Sequence, residues 1–81
     1  MLINLKDLHK KEVINVRDGR KLGYVDDVEI DSKNASITSL IIYGQERWLG
    51  FFGREDDIQI EFSKIQLIGV DTILVDCAIY V

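Results

Sequence analysis

Residues 13–31, VINVRDGRKLGYVDDVEID, constrain the fold more than any other stretch of this chain. A short apolar run (Val13, Ile14, Val16) meets the turn Arg17-Asp18-Gly19-Arg20, and a longer run follows that ends in alternating carboxylates. Asp-Gly between two β-rich runs is a strong hairpin signal, because a type I′ turn needs positive φ at its centre and glycine supplies it without strain. The stretch predicts strands at about 12–17 and 20–31. Val28 and Ile30 share one strand face by the two-residue period, whereas Val25 falls on the other. An inserted residue would turn both sets inward, so a β-bulge is expected at Asp26-Asp27.

The remaining chain repeats the pattern. Asn4 is placed to cap a single helical turn, or a loop, that carries Leu5 and Leu8 at i, i+3. Asp31-Ser32-Lys33-Asn34 reads as a polar turn. Ser36 to Tyr43 is apolar on both faces and so reads as a central or covered strand. A turn at Gly44–Arg47 and the apolar block Trp48 to Phe52 come next, then a break at Gly53–Asp56. Asp57 to Phe62 alternates cleanly, with Ile58, Ile60 and Phe62 inward. Short strands are expected at Ile65–Gly69 and Thr72–Asp76. Turn signals recur every ~8–12 residues, a spacing that marks all-β sandwiches and barrels. The expectation is an all-β fold: a small antiparallel β-barrel of six or seven strands with at most a short helical turn, closed or nearly so to remove unpaired edges. The 81 residues form one domain (1–81), with a core at about 10–76 and an apolar tail at 77–81 that is a candidate for strand exchange.

The order of several pieces carries a resemblance. Lys11-Glu12-Val13-Ile14, Asp18-Gly19-Arg20-Lys21-Leu22-Gly23, Val25-x-Asp27-x-Glu29-x-Asp31 and Ile37-x-x-Leu40 resemble the PRC-barrel superfamily. The run Phe51 to Ile58, closing with Ile65 and Ile73-Leu74-Val75-Asp76, is similar to its small stand-alone YlmC/YmxH branch, whose members carry a sporulation label. That branch commonly has Pro-Trp after the fifth strand's isoleucine; here Glu61-Phe62 follows Ile60, and the chain has no proline. The resemblance implies a β-barrel without enzymatic activity. Relatives in the superfamily, the C-terminal domain of the ribosome maturation factor RimM and the cytoplasmic part of the photosynthetic reaction-centre H subunit, act as protein-binding modules. Neither role transfers residue by residue, and for the YlmC/YmxH branch the similarity implies no molecular partner.

No residue constellation points to chemistry or a cofactor. The single histidine, His9, has no second ligand or catalytic acid near it in sequence, and a solvent-facing or capping role is expected. Cys77 is a lone thiol beside Asp76, a neighbour that raises its pKa. Gly50-x-x-Gly53 is followed by Glu55-Asp56-Asp57, which repels phosphate. Asp27, Glu29 and Asp31 form the alternative site, for a divalent metal or small ligand. Side chains two apart on a strand lie ~6.5–7 Å from each other, far for one cation held at ~2.3–2.6 Å.

The favoured reading is a cytoplasmic, non-catalytic module that binds another protein, its own copy included. The contact surface is expected at Trp48, Phe51, Phe52 and Arg54, where large apolar side chains alternate poorly and are rimmed by charge. For Phe51 and Phe52 the plainer reading, that one of them plugs the open end of the barrel, outweighs the contact reading, and one side chain can serve each role. A net charge of −4 disfavours nucleic acid, although Lys6, Lys10, Lys11, Arg17, Arg20 and Lys21 cluster early in the chain. Apolar runs far shorter than ~20 residues disfavour a membrane span. The lack of a signal-like N-terminal block and the single cysteine fit a reducing compartment.

Overall fold

The computed structural model describes residues 2–44 and 57–78. Helix α1 (Leu5–His9) precedes strands β1 (Glu12–Asn15), β2 (Arg20–Tyr24), β3 (Asp27–Asp31) and β4 (Ser36–Ile42). After residue 57 come β5 (Ile58–Glu61), a 3₁₀ turn (Phe62–Lys64), β6 (Ile65–Ile68) and β7 (Thr72–Val75).

Asn4 is the helix cap. Its Oδ1 accepts from the Asp7 N–H at 2.9 Å, and the Asp7 carboxylate accepts from the Asn4 N–H at 3.3 Å, a reciprocal box. A helix this short needs tertiary support, which Leu8 gives by burial; Leu5 stays half exposed.

The hairpin forms as expected, but with a different turn. Asn15 pairs with Arg20 across a four-residue loop, and the Gly19 N–H donates to the Asn15 carbonyl at 2.7 Å. Gly19 alone in the loop has positive φ, at 73°, whereas a type I′ turn needs two such residues.

The long second strand is two strands. Instead of a bulge at Asp26-Asp27, the chain turns a corner at Val25-Asp26, leaving a sheet ordered β2-β1-β7-β6 and entering one ordered β3-β4-β5. Breaking the strand satisfies the same demand as a bulge: Val25 is buried and Val28 still faces the interior. Asp26 fixes the corner, donating its N–H to the Ile41 carbonyl and accepting from the Tyr43 N–H at 2.8 Å. Register shifts fall elsewhere, between Val13 and Ile14, Glu29 and Ile30, and Ile65 and Leu67.

Two further expectations change. Pairing is not antiparallel throughout, since β1 and β7 run parallel, with Val13 opposite Ile73 and Asn15 opposite Val75. Among the described residues the strands form two sheets and not one closed barrel. The chain passes between them at Val25-Asp26 and at the 3₁₀ turn. Each sheet contributes alternate residues to one core: Val13, Ile73 and Val75 from one, Leu40, Ile42 and Ile60 from the other, with Leu8 and Val25. Strand β4 is central in its sheet, as its two apolar faces require. Phe62 does not extend β5 inward; it opens the 3₁₀ turn and is 44% exposed.

Candidate functional site: an apolar groove beside helix α1

Where α1 meets the three-stranded sheet, a groove of about 330 Å³ opens to solvent. Leu8, Val28 and Leu40 contribute their inner sides, and Leu5, Ile30, Ile37 and Phe62 contribute large apolar groups. Ile3, Ile68 and the polar Asn4 complete it. Three of the wall residues are well exposed: Leu5 is 47% exposed, Ile30 60% and Ile37 41%. Scattered apolar residues on a surface are ordinary; here several converge on one groove.

Local structure explains the exposure. Ile30 and Ile37 flank the Asp31–Ala35 turn, where Asp31 Oδ1 accepts from the Lys33 N–H at 2.9 Å and Oδ2 from Asn34 Nδ2 at 2.9 Å. The register shift next to them sets Glu29 opposite Ser39 but Ile30 opposite Ile37, so Thr38 is the extra residue. The two isoleucines therefore face each other at the sheet's end. Sequence reasoning missed this groove. The shared face of Val28 and Ile30 was the available signal, since both line it.

The other candidate residues fall elsewhere. Trp48, Phe51, Phe52 and Arg54 lie outside the described residues, as do Ile79–Val81 of the tail. The carboxylates of β3 are each engaged by protein donors. Asp27 accepts from the Tyr43 hydroxyl at 2.7 Å and the Val28 N–H at 2.8 Å, and the tyrosine bond in particular holds its carboxyl below the usual range. Glu29 Oε1 accepts from Gln59 Nε2 at 2.7 Å and from the buried Ser39 hydroxyl at 3.1 Å. Asp31 serves its turn. Among the described residues no group of three His, Cys, Asp or Glu is placed to hold a metal ion.

Two of the early cations are engaged within the fold. Lys11 is only 6% exposed, and its Nζ donates to the Gly69 and Val70 carbonyls, both at 2.6 Å. Arg17 Nε pairs with Asp76 Oδ1 at 3.0 Å. His9 Nδ1 lies 2.7 Å from the Val25 carbonyl, which can only accept, so this nitrogen carries the proton and ties α1 to the corner between sheets. Burial pushes the Cys77 thiol up; Arg17 opposes the shift and Asp76 adds to it, leaving a poor nucleophile. No helix among the described residues is long and apolar enough to cross a membrane.

These features define a small, mostly β domain that carries, among the described residues, an open apolar groove. The chain belongs to the PRC-barrel domain family, whose model matches residues 1–77. It is 38% identical over 74 residues to the probable sporulation protein YlmC of Bacillus subtilis, covering 91% of each chain. An uncharacterised protein of Clostridium acetobutylicum is 37% identical over 73 residues, covering 90% of this chain and 83% of that one. YmxH of Bacillus subtilis is 32% identical over 76 residues, covering 91% of this chain and 88% of its own. None of the three is named for an enzymatic activity.

Proposed function

We propose that this chain is a non-catalytic module that works by protein–protein contact, through the groove beside α1. The observation that carries the reading is the convergence of half-exposed Leu5, Ile30, Ile37 and Phe62 on one open apolar surface. Burying such side chains against a partner is favourable by about 25 cal/mol per Å² of apolar surface removed from water. Among the described residues, the polar side chains singled out for chemistry support the same reading: Asp27, Glu29, Asp31 and His9 are engaged in holding a turn, a corner or a strand pair. Association with sporulation is part of the proposal and rests on the name of one relative.

The test compares the immobilised wild-type chain with Ile37→Asp in capturing proteins from an extract of its own host. A charge at a half-exposed groove position should leave folding intact and remove the specifically retained proteins. An unchanged capture profile contradicts the role of the groove. Counting heat-resistant spores after deletion of the gene tests the sporulation association, and wild-type counts would contradict it.

A further inference from the structure

We infer that helix α1 is a latched wall of the groove: it opens as a unit while the two sheets stay folded, and a hydrogen bond from His9 holds it shut. As a device that governs the groove, the inference rests on the docking role proposed above; the latch itself does not.

Little holds the helix down. Its five residues are fewer than an isolated helix needs, so tertiary contacts must supply the rest. Of its side chains only Leu8 is buried; Leu5 is half exposed, and Lys6 and His9 are exposed. The Asn4–Asp7 box and the bond from the Leu8 N–H to the Asn4 carbonyl, at 3.1 Å, stay within residues 4–8. They keep the turn helical without tying it to a sheet. Among the described residues, one hydrogen bond joins α1 to another part of the fold: His9 Nδ1 to the Val25 carbonyl.

The fixed point lies just beyond. Lys11, two residues past the helix, is buried and donates to the Gly69 and Val70 carbonyls. The Glu12 N–H then donates to the Asp71 carbonyl at 2.9 Å as β1 begins. Exposed Lys10, the helix C-cap, stands between the loose part and the pinned part and is the hinge.

Opening has a defined consequence. Ile3, Asn4, Leu5 and Leu8 line the groove from the helix side, and Val28, Ile30, Ile37 and Leu40 line it from the sheet. When Leu8 leaves, the groove loses that wall and the core loses the helix's contribution to it. Ordering these residues costs entropy that one leucine and one hydrogen bond barely offset, so the open form is expected in roughly 1–10% of molecules.

Amide hydrogen exchange of the full chain, read residue by residue by NMR, tests the inference at two nearby positions. Corrected for intrinsic rates, the Leu8 N–H should exchange at least about tenfold faster than the Glu12 N–H. Its rate should ignore dilute urea, because a local opening exposes little surface. His9→Ala should speed Leu8 exchange a further three- to tenfold or so and leave Glu12 unchanged. His9→Asn, which keeps a side-chain N–H donor, should slow it again. Equal protection at Leu8 and Glu12, equal acceleration of both by His9→Ala, no response of Leu8, or an asparagine variant that behaves as the alanine overturns the inference. Ile37→Asp leaves the ties of α1 in place and reports on docking alone. Lost capture with equal protection removes the latch and keeps the docking role; unchanged capture with fast, His9-dependent Leu8 exchange does the reverse.

Discussion

The side-chain amide of Asn15 holds both backbone polar groups of Cys77. Its Nδ2 donates to the Cys77 carbonyl at 2.8 Å, and its Oδ1 accepts from the Cys77 N–H at 3.4 Å. Asn15 is fully buried at the end of β1, and the same Oδ1 also accepts from the Arg17 N–H at 3.2 Å. One polar side chain in the core thus fixes where the C-terminal segment leaves β7. Asn15→Ala strands these groups, and urea unfolding should show a loss of about 2 kcal/mol.

Lys11 plays the matching part at the other end of the sheet. Its ammonium closes the β6–β7 turn through the Gly69 and Val70 carbonyls. Lys11→Met keeps the aliphatic stem but removes the donor, and should cost about 1–3 kcal/mol in urea unfolding. Lys10→Met, at an exposed neighbour, should stay within about 0.5 kcal/mol of wild type.

Two backbone positions should respond with opposite signs. Gly23 has φ 119°, and a Cβ there would sit 3.3 Å from Ile42 Cγ2. Gly23→Ala therefore combines strain with crowding of a core side chain and should destabilise by about 1–3 kcal/mol. Ala35, at φ 55°, already pays for a left-handed conformation, so Ala35→Gly should raise the melting temperature slightly.

The Asp27 carboxyl titrates below its ordinary value, chiefly because the Tyr43 hydroxyl donates to it. A group whose pKa is depressed by folding adds stability above its unfolded pKa, and loses it as pH falls through the folded value. The melting-temperature gap between wild type and Asp27→Asn should therefore be largest near neutrality and close below about pH 4. A gap that widened on acidification would contradict the Tyr43–Asp27 bond. Calcium or magnesium at millimolar concentration should leave the wild-type melting temperature unchanged, because a cation held by Asp27, Glu29 and Asp31 would stabilise the native state.

What could be read from the residues was local. Asn4 before Leu5 and Leu8 marks the helix, Asp18-Gly19 marks the hairpin, and the alternation of Ile58 and Ile60 marks β5; each signal acts within a few residues. Three features were not legible for one shared reason. The parallel β1–β7 pair joins residues some sixty positions apart, and no local pattern encodes it. The demand that Val25 and Val28 both turn inward is visible in the sequence, but a bulge and a change of sheet meet it equally well. The groove is equally hidden: Ile30 and Phe62 look like core by periodicity, and the β3–β4 register shift and the 3₁₀ turn that leave them open are not encoded in any local pattern.

The most direct measurement of the central claim is site-specific photo-crosslinking in the host cell. A photoreactive phenylalanine analogue at position 62 conserves the aromatic side chain, and the same analogue at the exposed position 66 serves as the control. The groove account predicts a discrete protein adduct from position 62 and none from position 66. No adduct at position 62, or equal adducts at both, would contradict it.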